Sequence, residues 1–215
     1  MSPKSKTSSA AFTLIELLVV IAIIAALAGL IVGLSAVAGR SKKISVIRAE
    51  MERLVTAIES YRTHFGHLPP DNRTNSAVPP LFYELTGTVV NNQTGEIRSL
   101  IDHGTMTSVE VMATFGVEGF VHASSDPKQL KQFLTLKAIQ SAPLPRTNLK
   151  ILTVPFPWPD QSNGPIPGTT INPYRYVSTN PTNNPGSFDL WAEFVDGKKV
   201  KIICNWTKEI LERPL

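Results

Sequence analysis

An unbroken run of 18 apolar residues, 17–34, constrains this chain more than any other feature of its sequence. No charged residue lies between Glu16 and Arg40. At about 1.5 Å per residue, a helix over this run would be roughly 27 Å long, close to the ~30 Å hydrocarbon core of a bilayer. The run therefore predicts a membrane-spanning helix.

One alternative is a secretory signal that is removed from the mature protein. Lys4 and Lys6 would form its basic region, and the Ala-Val-Ala of residues 36–38 offers a cleavage site before Gly39. The apolar run is longer than the roughly 7–15 residues that such signals contain, which disfavours this interpretation.

A second alternative is a signal anchor that is never cleaved and keeps Met1. The flanking charges do not fix its orientation. Lys4, Lys6 and the terminal amine lie on one side of the run, and they are balanced by three cations within residues 40–43 on the other.

Glu16 places a carboxylate within this hydrophobic block. A carboxylate at the centre of a bilayer costs about 2.5–3.5 kcal/mol on insertion scales, so a residue of this kind is a functional candidate by default. At the membrane interface the cost would be small, and Glu16 would need no partner. The sequence around Glu16 favours the functional interpretation.

Residues 11–24, Ala-Phe-Thr-Leu-Ile-Glu-Leu-Leu-Val-Val-Ile-Ala-Ile-Ile, closely resemble the class III signal of type IV pilins and type II secretion pseudopilins. The resemblance implies that a prepilin peptidase cuts between Ala11 and Phe12, and that the new amine of Phe12 is methylated. It also implies that Glu16 pairs with the amine of a neighbouring subunit during filament assembly. Ala11 departs from the glycine that is usual before the cut, but alanine is the next smallest side chain.

Beyond the apolar run, apolar residues recur at the three- and four-residue spacing of an amphipathic helix. They are Ile44, Ile47, Met51, Leu54, Val55, Ile58, Tyr61 and Phe65. No proline lies between Thr13 and Leu68, so we predict one helix over residues 13–65, about 80 Å long. Gly66 and the prolines at 69–70 are expected to end it.

The remainder of the chain predicts a mixed α and β head. The predicted helices are a short one near 108–114, with a capping box from Thr107 to Glu110, and a longer one at Pro127–Ala138, with Asp126 as N-cap. The predicted strands are 174–178, 188–195 and 200–205. Asp196-Gly197 predicts a hairpin between the last two strands, and the proline-rich residues 155–173 predict an extended loop.

Two further segments are similar to the major type II pseudopilin: residues 61–69 at the end of the helix, and 172–177 followed by 188–191 and the turn at 196–197. The resemblance implies an α+β, type IV pilin-like fold in which one long amino-terminal helix packs against a small C-terminal antiparallel sheet. The expected organisation is a leader at 1–11, a transmembrane or filament-core helix at 12–39, an amphipathic half at 40–66 and a head at 67–215. Residues 71–154 form an insertion of unknown role.

No metal or cofactor is expected. Major pseudopilins carry a calcium site after the Asp-Gly turn, and Asp196 matches its first position. Residues 198–203 supply three lysines and no carboxylate, which opposes a calcium ion. His64 and His67, with Asp71 beyond them, lack a further nearby ligand for a metal site.

The sequence contains no P-loop, no H-E-x-x-H and no nucleophile elbow, so we do not expect an enzyme. The net charge of +4 comes from scattered cations, and we expect no nucleic-acid partner.

These patterns and the resemblance together predict a structural subunit of a pilus-like filament of a type II secretion system. Its expected partners are a prepilin peptidase, other pilin or pseudopilin subunits, an inner-membrane assembly platform and membrane lipid. We expect a single pass through the inner membrane, with the head in the periplasm. The alternative is a membrane-anchored extracytoplasmic binding or enzymatic domain that uses residues 71–154.

Overall fold

The computed structural model describes residues 13–136 and 140–215, with the helical backbone alone for 30–38. The leader at 1–11 and Phe12 lie outside the described residues. Helix α1 is Leu14–Phe65, which confirms the predicted long helix. It ends at Gly66, whose φ of +79° lies in the left-handed region and whose N–H donates to the carbonyl of Arg62 at 2.8 Å.

The chain divides into two compact units, Met1–Lys43 and Ile44–Leu215. In the first unit, every described side chain of 13–29 is exposed. The second unit contains the hydrophobic core of the head. Within the described residues, no helix combines the length and apolarity that crossing a membrane requires.

The amphipathic half of α1 buries one face in that core. Ile47, Met51, Leu54, Ile58 and Tyr61 are buried, and Ile44, Val55 and Phe65 pack against them with partial exposure. This is the face that the three- and four-residue spacing predicts, and it is confirmed.

Residues 71–154 form their own elements but share the core of the head. The elements are α2 (Leu81–Thr86), β1 (Thr88–Val90), β2 (Ile97–Ser99), β3 (Thr105–Met106), α3 (Ser108–Phe115), β4 (Ala123–Ser124), β5 (Ser141–Pro143) and β6 (Lys150–Leu152). One sheet has the order β3-β2-β1-β4, with β1 and β4 parallel, and β5 pairs with β6. The capping box of α3 at Thr107 and Glu110 is confirmed.

The predicted helix over Pro127–Ala138 is wrong for its described part, 127–136, and residues 137 and 138 lie outside the described residues. Asp126 does cap the N–H of Lys128, but the helical part is a single 3₁₀ turn at Pro127–Gln129. The chain then returns to α2. The N–H groups of Phe133 and Leu134 donate to the carbonyl of Leu85 in that helix, at 3.0 and 3.2 Å. Tertiary contacts thus satisfy the backbone groups that a helix would have paired, and they bury Leu134.

The C-terminal sheet is antiparallel, with the order β10-β9-β8-β7. Its strands are β7 (Arg175–Val177), β8 (Asp189–Asp196), β9 (Lys199–Cys204) and β10 (Leu211–Pro214). The predicted strands and hairpin are confirmed, although the two turn residues are Gly197 and Lys198, because Asp196 still pairs with Lys199. One face carries Tyr176, Leu190, Ala192, Phe194 and Ile203, which join the core that includes α1.

Candidate functional site

Glu16 lies in the first turn of α1, in a reciprocal pair with Thr13. The backbone N–H and the hydroxyl of Thr13 both donate to Oε2 of Glu16, at 2.9 and 2.7 Å. The N–H of Glu16 lies 3.3 Å from the Thr13 hydroxyl oxygen, which accepts from it. This arrangement is a capping box, and it satisfies backbone donors that the start of a helix leaves unpaired.

Sequence reasoning identified Glu16 but missed Thr13. The available signal was the T-x-x-E spacing, which predicts a capping box at Thr107 and Glu110 and occurs again at residues 13–16. The two boxes have the same geometry, since Thr107 donates to Glu110 from its N–H at 2.8 Å and its hydroxyl at 2.9 Å. The carboxylate that the resemblance assigns to assembly therefore also organises the first turn of its own helix.

The start of α1 displays apolar side chains all around its circumference. Ten large ones are between 44% and 81% exposed: Leu14, Ile15, Leu17, Leu18, Val19, Val20, Ile21, Ile23, Ile24 and Leu27. A helix that is apolar on every side is stable when it lies in lipid or among other apolar surfaces. This part of the chain is therefore suited to an apolar environment.

Two of the residues considered for metal binding, Asp71 and His67, have polar contacts with nearby protein groups. Asp71 is buried, and its carboxylate accepts from the N–H groups of Ser178 and Thr179 and from the Thr179 hydroxyl at 2.8–2.9 Å. Nδ1 of His67 lies 2.9 Å from the carbonyl of Leu68. In the part of the chain that the structure describes, no three His, Cys, Asp or Glu side chains form a group that could hold a metal ion.

A buried carboxylate that sequence reasoning missed lies in α2. Glu84 is completely buried and accepts hydrogen bonds from the Tyr61 hydroxyl at 2.9 Å and from the N–H groups of Val121 and His122 at 2.9 and 3.0 Å. Burial raises the pKa of Glu84, and these hydrogen bonds oppose the shift. Burial also lowers the pKa of His122, whose Nδ1 lies 2.8 Å from the carbonyl of Glu84. Because that carbonyl can only accept, Nδ1 carries the proton.

A groove of about 770 Å³ lies between α1 and the segment after β9 in the head. Arg48, Met51 and Val55 line one side, and Cys204 and Trp206 line the other. Burial raises the pKa of the Cys204 thiol, which favours its neutral form over the nucleophilic thiolate.

Comparison with known proteins found a family match at the amino terminus. The family described as the prokaryotic N-terminal methylation motif matches residues 6–32, which include Ala11, Phe12, Thr13 and Glu16. No curated protein and no solved structure matches the chain. The match supports a class III prepilin signal, and the long helix followed by small, mostly antiparallel sheets is consistent with a type IV pilin-like fold.

Proposed function

We propose that this type IV pilin-like chain is a structural subunit of a pilus-like filament of a type II secretion system. The observation that carries the proposal is the methylation motif at 6–32, within which every described side chain, over 13–29, is exposed. The similarity of residues 61–69 and 172–177 to the major pseudopilin supports the secretion system over a pilus.

Processing converts the chain into its assembly-competent form. A prepilin peptidase removes 1–11, and the new amine of Phe12 is methylated. The mature chain then has 204 residues, because 11 of the 215 are lost. Loss of Lys4 and Lys6 lowers the net charge from +4 to +2.

Before assembly, residues 12–39 span the inner membrane. The head, 67–215, lies in the periplasm, and Lys4 and Lys6 of the precursor are cytoplasmic. The sequence run at 17–34 supports the membrane segment, since its length approaches that of the hydrocarbon core. An inner-membrane assembly platform then draws subunits from the lipid into the filament.

Within the filament, apolar packing of the helices supplies cohesion and Glu16 fixes register. A carboxylate in an apolar core needs a compensating partner. Thr13 supplies two neutral donors but no charge. The amine of Phe12 in an adjacent subunit supplies the positive charge, so only registers that bring the two groups together are favourable.

Amino-terminal analysis of the chain purified from its native membrane tests the proposal. We expect an N-methylated Phe12, and we expect the uncut precursor in a strain whose prepilin peptidase is inactive. A mature chain that begins at Gly39 would instead show that the preceding residues are a cleaved secretory signal. An intact Met1 in the strain with active peptidase would identify a signal anchor, and either result would contradict the proposal.

A further inference from the structure

Three cations follow the apolar run of α1 within four residues. They are Arg40, Lys42 and Lys43, and we call them the cationic collar. All three are exposed. The nearest acidic residues along the chain are Glu16 and Glu50, so this stretch of helix concentrates positive charge.

The collar lies on one side of the helix, within a narrow range of depth. An α-helix turns about 100° per residue, so Lys42 and Lys43 lie roughly 200° and 300° around the axis from Arg40, within about 4.5 Å of rise. The three charges lie within an arc of about 160° and at nearly the same depth. A cluster of charge at one depth matches a planar charged layer that the helix crosses.

The spacing from the apolar run places the backbone of the collar just beyond the lipid headgroups. Arg40 lies six residues beyond Leu34, about 9 Å along the axis, and Lys43 lies about 13.5 Å beyond it. Each headgroup layer adds roughly 5–8 Å to the hydrocarbon core. Long Arg and Lys side chains extend several Å along a helix toward the polar layer, so all three charges can reach it.

We propose that the cationic collar binds the headgroups of anionic phospholipids at the periplasmic face of the inner membrane and retains the processed subunit there before assembly. The inference rests on the proposed membrane-anchored subunit. Processing removes Lys4 and Lys6 from the amino-terminal end of the apolar run. The Phe12 amine and the Glu16 carboxylate at that end then carry opposite charges that cancel, so the net positive charge beside the run is at the collar.

A competition between two vesicle populations tests this inference. The processed full-length chain in mild detergent is distributed between vesicles of phosphatidylcholine alone and vesicles that also contain phosphatidylglycerol, at low and high salt. Each cation near an anionic surface favours binding about fivefold, so three should favour the phosphatidylglycerol vesicles about a hundredfold at low salt. High salt should reduce the preference, because it screens exposed charges.

The variant R40Q/K42Q/K43Q should bind the two populations almost equally. Its matched control is K128Q/K198Q/K208Q, which removes three exposed lysines of the head and should keep the preference. Glutamine is a good helix former, and circular dichroism checks that α1 persists. A preference that survives in R40Q/K42Q/K43Q, or that the head variant loses equally, would overturn the inference.

Binding to phosphatidylcholine alone separates the two proposals. Wild-type chain that binds both populations equally would overturn lipid selectivity while leaving the membrane anchor in place. Wild-type chain that binds neither population would overturn the anchor itself.

Discussion

The hydroxyl of Tyr61 donates a 2.9 Å hydrogen bond to Oε2 of Glu84, and both residues are completely buried. Tyr61 lies one turn before the end of α1, and Glu84 lies in α2. The same carboxylate accepts from the N–H groups of Val121 and His122, which precede β4. One buried side chain therefore joins the end of the long helix to two parts of the region 71–154.

Glu84→Ala should destabilise the head strongly, because it leaves three donors, two of them buried, without an acceptor. An unsatisfied buried group costs about 1–3 kcal/mol, so we expect a loss of roughly 3–5 kcal/mol in the free energy of unfolding. Tyr61→Phe removes one bond and should cost about 1–2 kcal/mol. Thermal unfolding of the full chain in mild detergent measures both, with the exposed Glu118→Ala as the near-neutral control.

The double variant should lose less than the sum of the two single losses, because Tyr61→Phe removes one of the donors that Glu84→Ala leaves unpaired. Strict additivity would show that the hydrogen bond contributes nothing to stability.

Asp71→Ala should also destabilise the head. The Asp71 carboxylate accepts three hydrogen bonds from Ser178 and Thr179, so it joins the chain after α1 to the chain after β7. We expect a loss of about 2–4 kcal/mol. Asp126→Ala is the matched control, since that aspartate caps an exposed 3₁₀ turn and should cost about 1 kcal/mol or less. Equal losses would contradict the structural role of Asp71.

His122 should make the head less stable as the pH falls. Its pKa is 6.5 in the unfolded chain and lower in the folded head, so between these values the unfolded state binds more protons. The free energy of unfolding should therefore decrease as the pH drops below about 6.5. His122→Gln should flatten this part of the profile.

The difference between wild type and His122→Gln isolates the effect of His122, because Glu84 titrates in the opposite sense. A raised pKa of Glu84 makes the folded state favour the protonated acid, so this group alone stabilises the head as the pH falls. The control is His103→Asn, at an exposed residue whose φ of +59° asparagine tolerates. That variant should keep the wild-type slope, and a slope retained by His122→Gln would contradict the prediction.

The elements predicted correctly have strong local signals. Helix α1 has a long apolar pattern without proline, and its end has a glycine followed by prolines. The hairpin of β8 and β9 has the Asp196-Gly197 pair at its turn, between two strands rich in apolar residues. The short strands β1–β4 and β10 have two to four residues each, which is too short for an alternating pattern to predict them.

The error at Pro127–Ala138 has the same physical origin. Asp126 and Pro127 specify how a helical turn begins, but the carbonyl of Leu85, more than 40 residues earlier, pairs with the N–H groups where the helix would have continued. The hydrogen bonds of Glu84 could not be predicted from the sequence either, since His122 lies 38 residues away in the chain. Glu16, in contrast, belongs to a contiguous motif, which can be recognised in the sequence without knowledge of the fold.

Variants of Glu16 can separate its charge from its role as a helix cap. Glutamine at the third helical position also completes a capping box, so Glu16→Gln keeps an acceptor for Thr13 while it removes the charge. Glu16→Ala removes both. We expect both variants to insert into the membrane and to have Phe12 as the mature amino terminus, because the apolar run at 17–34 is unchanged.

Filament yield should fall at least about tenfold in both variants. A hydrogen bond to a charged group contributes about 1.5–3 kcal/mol, which corresponds to roughly 10–100-fold at each contact between subunits. Sheared filaments quantified by immunoblot measure the yield, and Glu110→Gln, at the equivalent position of the second capping box, controls for the substitution. If Glu16→Gln assembles normally while Glu16→Ala does not, the cap rather than the charge determines assembly, and pairing with the Phe12 amine is not required.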